Sequence, residues 1–293
     1  MSDKPVARPR IADACICCGG QSLEKSPAIL MPFVAHRVFG WAPVEIDDSW
    51  GLRTIRNGNA YSICNSVSCL DCGMLFLDIR FSDPEMEALY SGYRQAEYTA
   101  LRDHYEPGYA ERNDTLNQGI GFIPEIEAFL TPFLPLPVRV LDWGGDTGIN
   151  TPFKSASTLF HVYDISGKPG IAGAVMVDRD TARRTAYDLI VCSNVLEHIP
   201  YPLDTLSDIR GLMSRDTVLY IEVPHEEVVR RNPEGTVLCA LKRHWHEHVN
   251  FFGLEALRRL LAAAGMDAVA VRELGSEPDS VHPHQLMLAC RLA

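Results

Sequence analysis

Apolar residues in the second half of the chain come in blocks of strand length. Val138 to Leu141, Leu159 to Tyr163, Ala174 to Val177, Leu189 to Ser193 and Val218 to Val223 are separated by more polar segments with room for helices. Strands covered by helices on both faces read as unbroken apolar runs, so this spacing predicts a parallel, doubly wound α/β sheet. Two further strands, at about Ala268 to Arg272 and Gln285 to Cys290, finish the chain. A helix is expected from about Asn150, after a glycine-rich turn.

The first half is patterned differently. Met74-Leu75-Phe76-Leu77 reads as a strand, and Ser82-Asp83-Pro84-Glu85 as a helix start with proline in the first turn. The helix that follows carries Met86, Leu89, Tyr90 and Tyr93 at helical spacing, a pattern that suits half-buried packing or chemistry. Tyr98, Tyr105 and Tyr109 continue the aromatic density across Pro107-Gly108, as a lid over a pocket would. A second helical region, Ala110 to Leu130, leads to Pro132, Pro135 and Pro137, the expected domain boundary. Three units follow: a cysteine-bearing module over 1–80, a helical linker over 81–137 and an α/β domain over 138–293.

Composition narrows the class. With 293 residues, 46% of them hydrophobic, the chain has ample material for a core. No run approaches the roughly 20 apolar residues of a membrane span, and the polar start MSDKPVARPR has no apolar signal segment, so a soluble, cytoplasmic protein is expected. The net charge of −11 disfavours a long polyanion such as nucleic acid. Arg183-Arg184, Arg230-Arg231 and Lys242-Arg243 are only doublets, suited to a small phosphorylated substrate.

Four of the nine cysteines form two Cys-x-x-Cys pairs, Cys15/Cys18 and Cys69/Cys72, each followed by glycine. A knuckle of this kind offers two thiolates from one tight turn, and two knuckles complete a tetrahedral zinc site with no open position. Cys15, Cys18, Cys69 and Cys72 are therefore expected to hold a structural zinc ion, with free buried thiols or a redox pair as the alternatives. About 50 residues separate the pairs; Pro27, Pro32, Pro43 and the turn Arg56-Asn57-Gly58-Asn59 are expected to break them into short hairpin strands. There is no internal repeat.

The strand from Val138 runs into Asp142 and the turn Gly144-Gly145-Asp146-Thr147-Gly148. Glycines at a strand tip let a ligand approach the backbone, and an acid there holds a cationic or hydroxyl-bearing cofactor. Asp146 replaces the middle glycine of the usual acidic-x-Gly-x-Gly-x-Gly form. Asp164 follows Asp142 by 22 residues at the next strand end, a spacing suited to ribose hydroxyls. Asp178 ends the third strand and is a candidate for the adenine amino group, or an ordinary loop residue. Tyr187-Asp188-Leu189-Ile190-Val191-Cys192-Ser193-Asn194-Val195-Leu196-Glu197-His198-Ile199 is a buried strand ending in polar residues, of which Asn194 would line the cofactor pocket with Glu197 and His198 nearby.

In these features the chain resembles the class I S-adenosylmethionine-dependent methyltransferases over about 150 residues. The resemblance implies a Rossmann-like, seven-stranded sheet with an antiparallel last strand, and S-adenosylmethionine held by Asp142, Gly144, Gly145, Asp146, Gly148, Asp164, Asp178 and Asn194. No Asn-Pro-Pro-Tyr motif follows the fourth strand, which speaks against amino-group methylation of the DNA or glutamine kind.

Arg243-His244-Trp245-His246-Glu247-His248 is the densest titratable cluster. Histidines at i, i+2 and i+4 share a face if extended, which admits a second metal site; a histidine beside a carboxylate also suits general acid/base work. A polar loop before a Phe251-Phe252 helix start is the plain alternative. Read from its N-terminus, the chain resembles the zinc-containing C-methyltransferases of deoxysugar biosynthesis, with two knuckles, linker tyrosines, and His246-Glu247-His248 before an aromatic pair. That resemblance implies a nucleotide-linked 4-keto-deoxysugar as substrate, Glu247 and His248 in proton abstraction beside the ketone, and Tyr93, less closely Tyr90, as the active-site tyrosine. Trp245 stands where the family has tyrosine, and the family's further C-terminal domain is not matched after the last predicted strand. O-methylation of a sugar thus stands beside C-methylation. A methyltransferase whose zinc module grips RNA or protein, and a cofactor-binding module without catalysis, are the competing readings; the oligomeric state is not legible.

Overall fold

The computed structural model describes residues 9–50, 58–232, 238–276, 280 and 282–293. In chain order the elements are β1 (Leu23–Leu30), α1 (Pro32–Phe39), β2 (Val44–Glu45), β3 (Asn59–Ala60), β4 (Ile63–Cys69), β5 (Leu75–Leu77), α2 (Asp83–Tyr90), α3 (Ala96–Tyr105), α4 (Tyr109–Asn117) and α5 (Ile123–Leu130). They continue with β6 (Val138–Trp143), β7 (Ser157–Tyr163), β8 (Val175–Met176), α6 (Arg179–Arg183), β9 (Leu189–Ser193), α7 (Pro202–Arg210), β10 (Val218–Pro224) and α8 (Glu227–Arg230). The last elements are α9 (Leu238–Leu241), β11 (His244–Trp245), β12 (Asn250–Phe251), α10 (Leu254–Ala263), β13 (Met266–Leu274) and β14 (Gln285–Leu292).

The larger sheet has seven strands in the order β13-β14-β10-β9-β6-β7-β8. β14 runs antiparallel to both β10 and β13, while β10, β9, β6, β7 and β8 are mutually parallel. The unbroken apolar run of β9 is explained by its two faces. Ile190 and Cys192 enter one core with Leu206 and Ile209 of α7 and Leu257, Leu260 and Leu261 of α10. Leu189 and Val191 enter another with Ile126 and Leu130 of α5.

The expected helix at Asn150 is not formed; turns and a single 3-10 turn at Lys154–Ala156 lead straight into β7. Pro152 lies only four residues after Gly148, and a residue before proline is steered away from helical angles. Phe153 then takes a left-handed conformation, φ 57°.

A second sheet, β11-β1-β4-β5-β12, joins strands from the first 80 residues to two short strands that precede α10. β1 and β4 pair antiparallel from Leu23↔Cys69 to Ile29↔Ile63, and β5 pairs with β4. Residues near 250 complete it: β11 runs parallel to β1 with Ile29 opposite His244, and β12 pairs with β5 with Asn250 opposite Phe76. The histidine segment is thus part of the N-terminal sheet. Between the cysteine pairs a helix, α1, replaces part of the expected hairpin series, with Pro32 in its first turn. Arg56 and Asn57 of the expected turn lie outside the described residues.

Fully buried Arg80, after β5, ties the sheets together. Its guanidinium donates to the Pro200 carbonyl and to Asn250 Oδ1, both at 3.0 Å, and to the carbonyls of Leu77 and Val249. Asn250 Nδ2 in turn donates to the carbonyls of Leu196, 2.8 Å, and Ile199, 2.6 Å. The loop after β9 is thereby fixed against the segment carrying His248. The linker begins as expected: Ser82 and Glu85 form a capping box on α2. Tyr93, expected on that helix, sits just beyond it in a turn after left-handed Gly92. The expected second helical region divides into α4 and α5 around Gly119 and Gly121. Among the described residues no helix is long and apolar enough to cross a membrane.

Candidate active site

A cavity opens at the carboxyl ends of β6, β7 and β9, where parallel α/β sheets present loops to a ligand. Asp142, Gly144, Gly145, Asp146, Asp164 and Asn194 of the α/β domain line it together with Tyr90, Tyr93 and Arg94 of the linker and His198.

The glycine turn is closed by Gly144 N–H donating to the Tyr163 carbonyl, 2.7 Å, and Gly148 N–H to that of Gly145, 2.8 Å. A Cβ on Gly145 would lie 2.3 Å from Asp142 Cγ, so only glycine lets the loop close over that carboxylate. Asp142 is buried, accepts from Thr151 Oγ1 at 2.5 Å, and is pushed up to about 7, chiefly by burial. Asp164 accepts from the backbone N–H of Asp146, 2.9 Å, and of Ser166, 2.7 Å. Asp146 itself adopts a left-handed conformation, φ 51°, which aspartate tolerates better than most residues. Its carboxylate pairs with Lys168 Nζ at 3.1 Å and Arg94 Nη1 at 3.8 Å. Left-handed Asn194, φ 53°, donates through Nδ2 to buried Glu222 at 2.8 Å.

Two of the expected cofactor residues do other work. Gly148 is not in the cavity wall; a Cβ there would meet Phe160 Cζ at 2.8 Å, so it is a packing position. Asp178 is the N-cap of α6, accepting from Thr181 N–H at 2.7 Å, and stands outside the wall.

Tyr90 Oη meets His198 Nδ1 at 2.8 Å, and the rings of Tyr90 and Tyr93 contact edge to face at 5.6 Å. Burial raises both phenols. The cavity wall includes His198 but not Glu247 or His248, both of which contact His198. The His198 and His248 rings meet edge to face at 4.6 Å. His248 Nδ1 pairs with Glu226 at 3.0 Å. Burial opposes charge on His248, but the Glu226 bond and the charges of Glu197 and Glu247 outweigh it and raise its pKa. His198 is pushed down to about 3, chiefly by burial. Glu247 gives its carboxylate to Arg102, Oε1 to Nη2 2.6 Å. Against its burial, Arg102 first and then His248 and His198 bring it to about 2.

The rest of the histidine cluster disperses. His246 pairs with Glu106, His244 is exposed at the edge of the second sheet, and Trp245 is fully buried with Nε1 donating to Ser66 Oγ at 2.7 Å. Trp245 is thus a core residue, which accounts for an indole where a pocket residue would need a hydroxyl. Arg94, Arg102, Lys168, Glu222 and Glu226 were not legible as site residues, since each is an isolated polar residue in an unremarkable local pattern.

The four cysteines come together, each Sγ within 4.8 Å of the others, and Cys15, Cys69 and Cys72 share a core with Phe252 and Leu257. The Cys15–Cys72 and Cys18–Cys69 sulfurs are 3.6 Å apart, close to the roughly 3.8 Å edge of a tetrahedral Zn–S4 site. Gly19 and Gly73 close the knuckles at φ 70° and 73°. Backbone N–H groups of Cys17 and Gly20 aim at the Cys15 and Cys18 sulfurs. This donor set fits zinc.

A family model described as a methyltransferase domain matches residues 116–271. Among solved structures, 1,6-didemethyltoxoflavin-N1-methyltransferase of Burkholderia thailandensis, with bound 1,6-didemethyltoxoflavin and S-adenosylhomocysteine, superposes with a TM-score of 0.49 at 16% identity, covering 86% of this chain and 99% of that one. The glycopeptide N-methyltransferase MtfA with sinefungin gives 0.44 at 14% identity over 58% and 94% of the two chains. Magnesium protoporphyrin IX methyltransferase of Synechocystis PCC 6803 gives 0.39 at 15% over 58% and 82%. No curated protein matches the sequence.

Proposed function

The chain belongs to the methyltransferase-domain family; on that premise we propose that it transfers the methyl group of S-adenosylmethionine to a small activated sugar, nucleotide-linked, at carbon through an enolate or at oxygen. The observation that carries this reading is the pair of cations beside Tyr93, a residue of the cavity wall. Arg94 and Lys168 flank the Tyr93 ring at 4.9 and 5.1 Å, and both pair with the single carboxylate of Asp146. The two cations share one carboxylate and are the groups a phosphate-bearing acceptor would pair with in a chain of net charge −11. The phenols of Tyr90 and Tyr93 and the imidazole of His198 offer the hydrogen bonds a sugar requires.

Asp142, Gly144, Gly145, Asp146, Asp164 and Asn194 hold the methyl donor in this reading, which brings a sulfonium methyl group to the cavity. Gly148 supports that loop by packing, and Asp178 caps α6. Tyr93 positions the acceptor. The acceptor's proton leaves toward His198 and His248, with Glu247 anchoring Arg102 behind them. The cysteine module carries a structural zinc ion. For carbon methylation, a nucleotide-linked ketosugar should exchange its α-proton with deuterated water on the enzyme, slowed by His248→Asn or Glu247→Gln. An accepted ketosugar that is methylated without such exchange removes the enolate route and leaves oxygen as the acceptor.

A further inference from the structure

We propose that Glu197, His198 and His248 form a second divalent-cation site, separate from the cysteines and taking a first-row transition ion of borderline softness such as Zn2+ or Co2+. One ligand atom from each of the three lies within 4.8 Å of the other two, with Glu197 Oε1 and His198 Nε2 3.9 Å apart. Two imidazoles and a carboxylate are a common donor set for such ions.

Glu197 is 2% exposed, and both its carboxylate oxygens lack a hydrogen-bond partner. A buried carboxylate without partners is costly, and a cation between it and the two imidazoles would satisfy it. Both histidines are also oriented from behind. His248 Nδ1 faces the Glu226 carboxylate, and His198 Nδ1 lies between the Glu247 backbone carbonyl at 3.1 Å and Tyr90 Oη at 2.8 Å; with a proton on each Nδ1 given to these oxygens, each Nε2 keeps its lone pair. An acceptor behind one imidazole nitrogen is the usual support for metal ligation through the other. The 3.9 Å edge needs to shorten by about 0.6 Å, and no edge by more than about 1.5 Å, to reach the roughly 3.3 Å of a tetrahedral N/O site. The motif is invisible in the sequence, where His248 is 50 residues from His198 and the i, i+2, i+4 spacing suggests other partners.

The same lone pairs serve the proton route of the proposed function, so, resting on that reading, a seated ion closes the route. The test uses full-length protein whose cysteine site is already loaded with zinc, titrated with Co2+ and followed by visible absorption. One further Co2+ per chain is expected, with ligand-field bands of nitrogen and oxygen coordination and no intense sulfur charge-transfer band. Glu197→Gln should weaken it at least tenfold, and Glu226→Gln, at a partly exposed position behind His248, by roughly 10- to 100-fold. No further ion, a sulfur-type spectrum, or unchanged affinity in both variants overturns the site. Methyl transfer should fall in step with Co2+ occupancy. Occupancy that leaves transfer unchanged upholds the site and removes the proton route instead.

Discussion

Arg102 Nη2 donates to Glu247 Oε1 at 2.6 Å between side chains only 4% and 14% exposed, so linker helix α3 and the segment before β12 share a nearly buried ion pair. Arg102 also reaches Glu106 at 3.0 Å and lies over the Tyr109 ring at 4.2 Å. Removing one partner strands the other's charge. Arg102→Met should cost about 3–5 kcal/mol in chemical denaturation, and Glu247→Gln in the same chain should recover part of that loss. A double variant no more stable than Arg102→Met would show that the pair is not coupled.

Gly145→Ala tests the cofactor loop, because its Cβ would fall 2.3 Å from Asp142 Cγ. The loop must open or the carboxylate must move. S-adenosylmethionine binding measured by calorimetry should weaken more than tenfold, with a stability loss of about 1–3 kcal/mol. Wild-type affinity in this variant would place the donor elsewhere.

Asp142 gives the site a pH dependence. Its folded pKa, raised to about 7, lies above an unfolded value near 3.9, so between the two the native state holds the extra proton. The sign is that stability from this group is greatest below about pH 4 and declines as pH rises to about 7. A cationic donor favours the carboxylate, so binding should release a proton below about pH 7 and tighten by up to about tenfold per pH unit, levelling off above. Calorimetry in buffers of different ionisation enthalpy reads the proton, and Asp142→Asn should abolish its release. Proton uptake would contradict the assignment.

How much of this was legible follows from which physics is local. The apolar runs of β6, β9 and β10 are local and mark their strands to within two residues. The glycine loop, Asp164 and both knuckles were visible for the same reason. The missing helix after Gly148 was misread because the glycine pattern outweighed Pro152, four residues on. Asp178 looked like a strand-end ligand, yet a short acidic side chain before Arg179-Asp180-Thr181 is equally a helix cap. Arg80 and Asn250 meet across 170 positions, and nothing in either neighbourhood announces the bond. Arg80→Met should therefore loosen both the Pro200 loop and β12, with faster amide exchange at Leu196–Ile199 and at Asn250 and reduced methyl transfer; unchanged exchange at both would remove Arg80 as the tie.

The knuckles predict a zinc-dependent module. Elemental analysis should find about one zinc per chain at the cysteines, and Cys69→Ser should lose it. Val67, Met74 and Phe76 share a core with Phe252 and Leu257 of the methyltransferase domain, so chelation should lower the Tm of the whole chain. Full thermal stability in a zinc-free sample would rule out a structural ion.

The central claim is tested most directly by incubating the enzyme with methyl-labelled S-adenosylmethionine and a panel of nucleotide-linked keto and hydroxy sugars, scoring label in the sugar by mass spectrometry. The account predicts label on at least one of them, lost in Gly145→Ala and reduced when Arg94 and Lys168 are both replaced by glutamine. Active enzyme that labels a protein, an RNA or an uncharged small molecule while leaving every nucleotide-linked sugar unlabelled would contradict it.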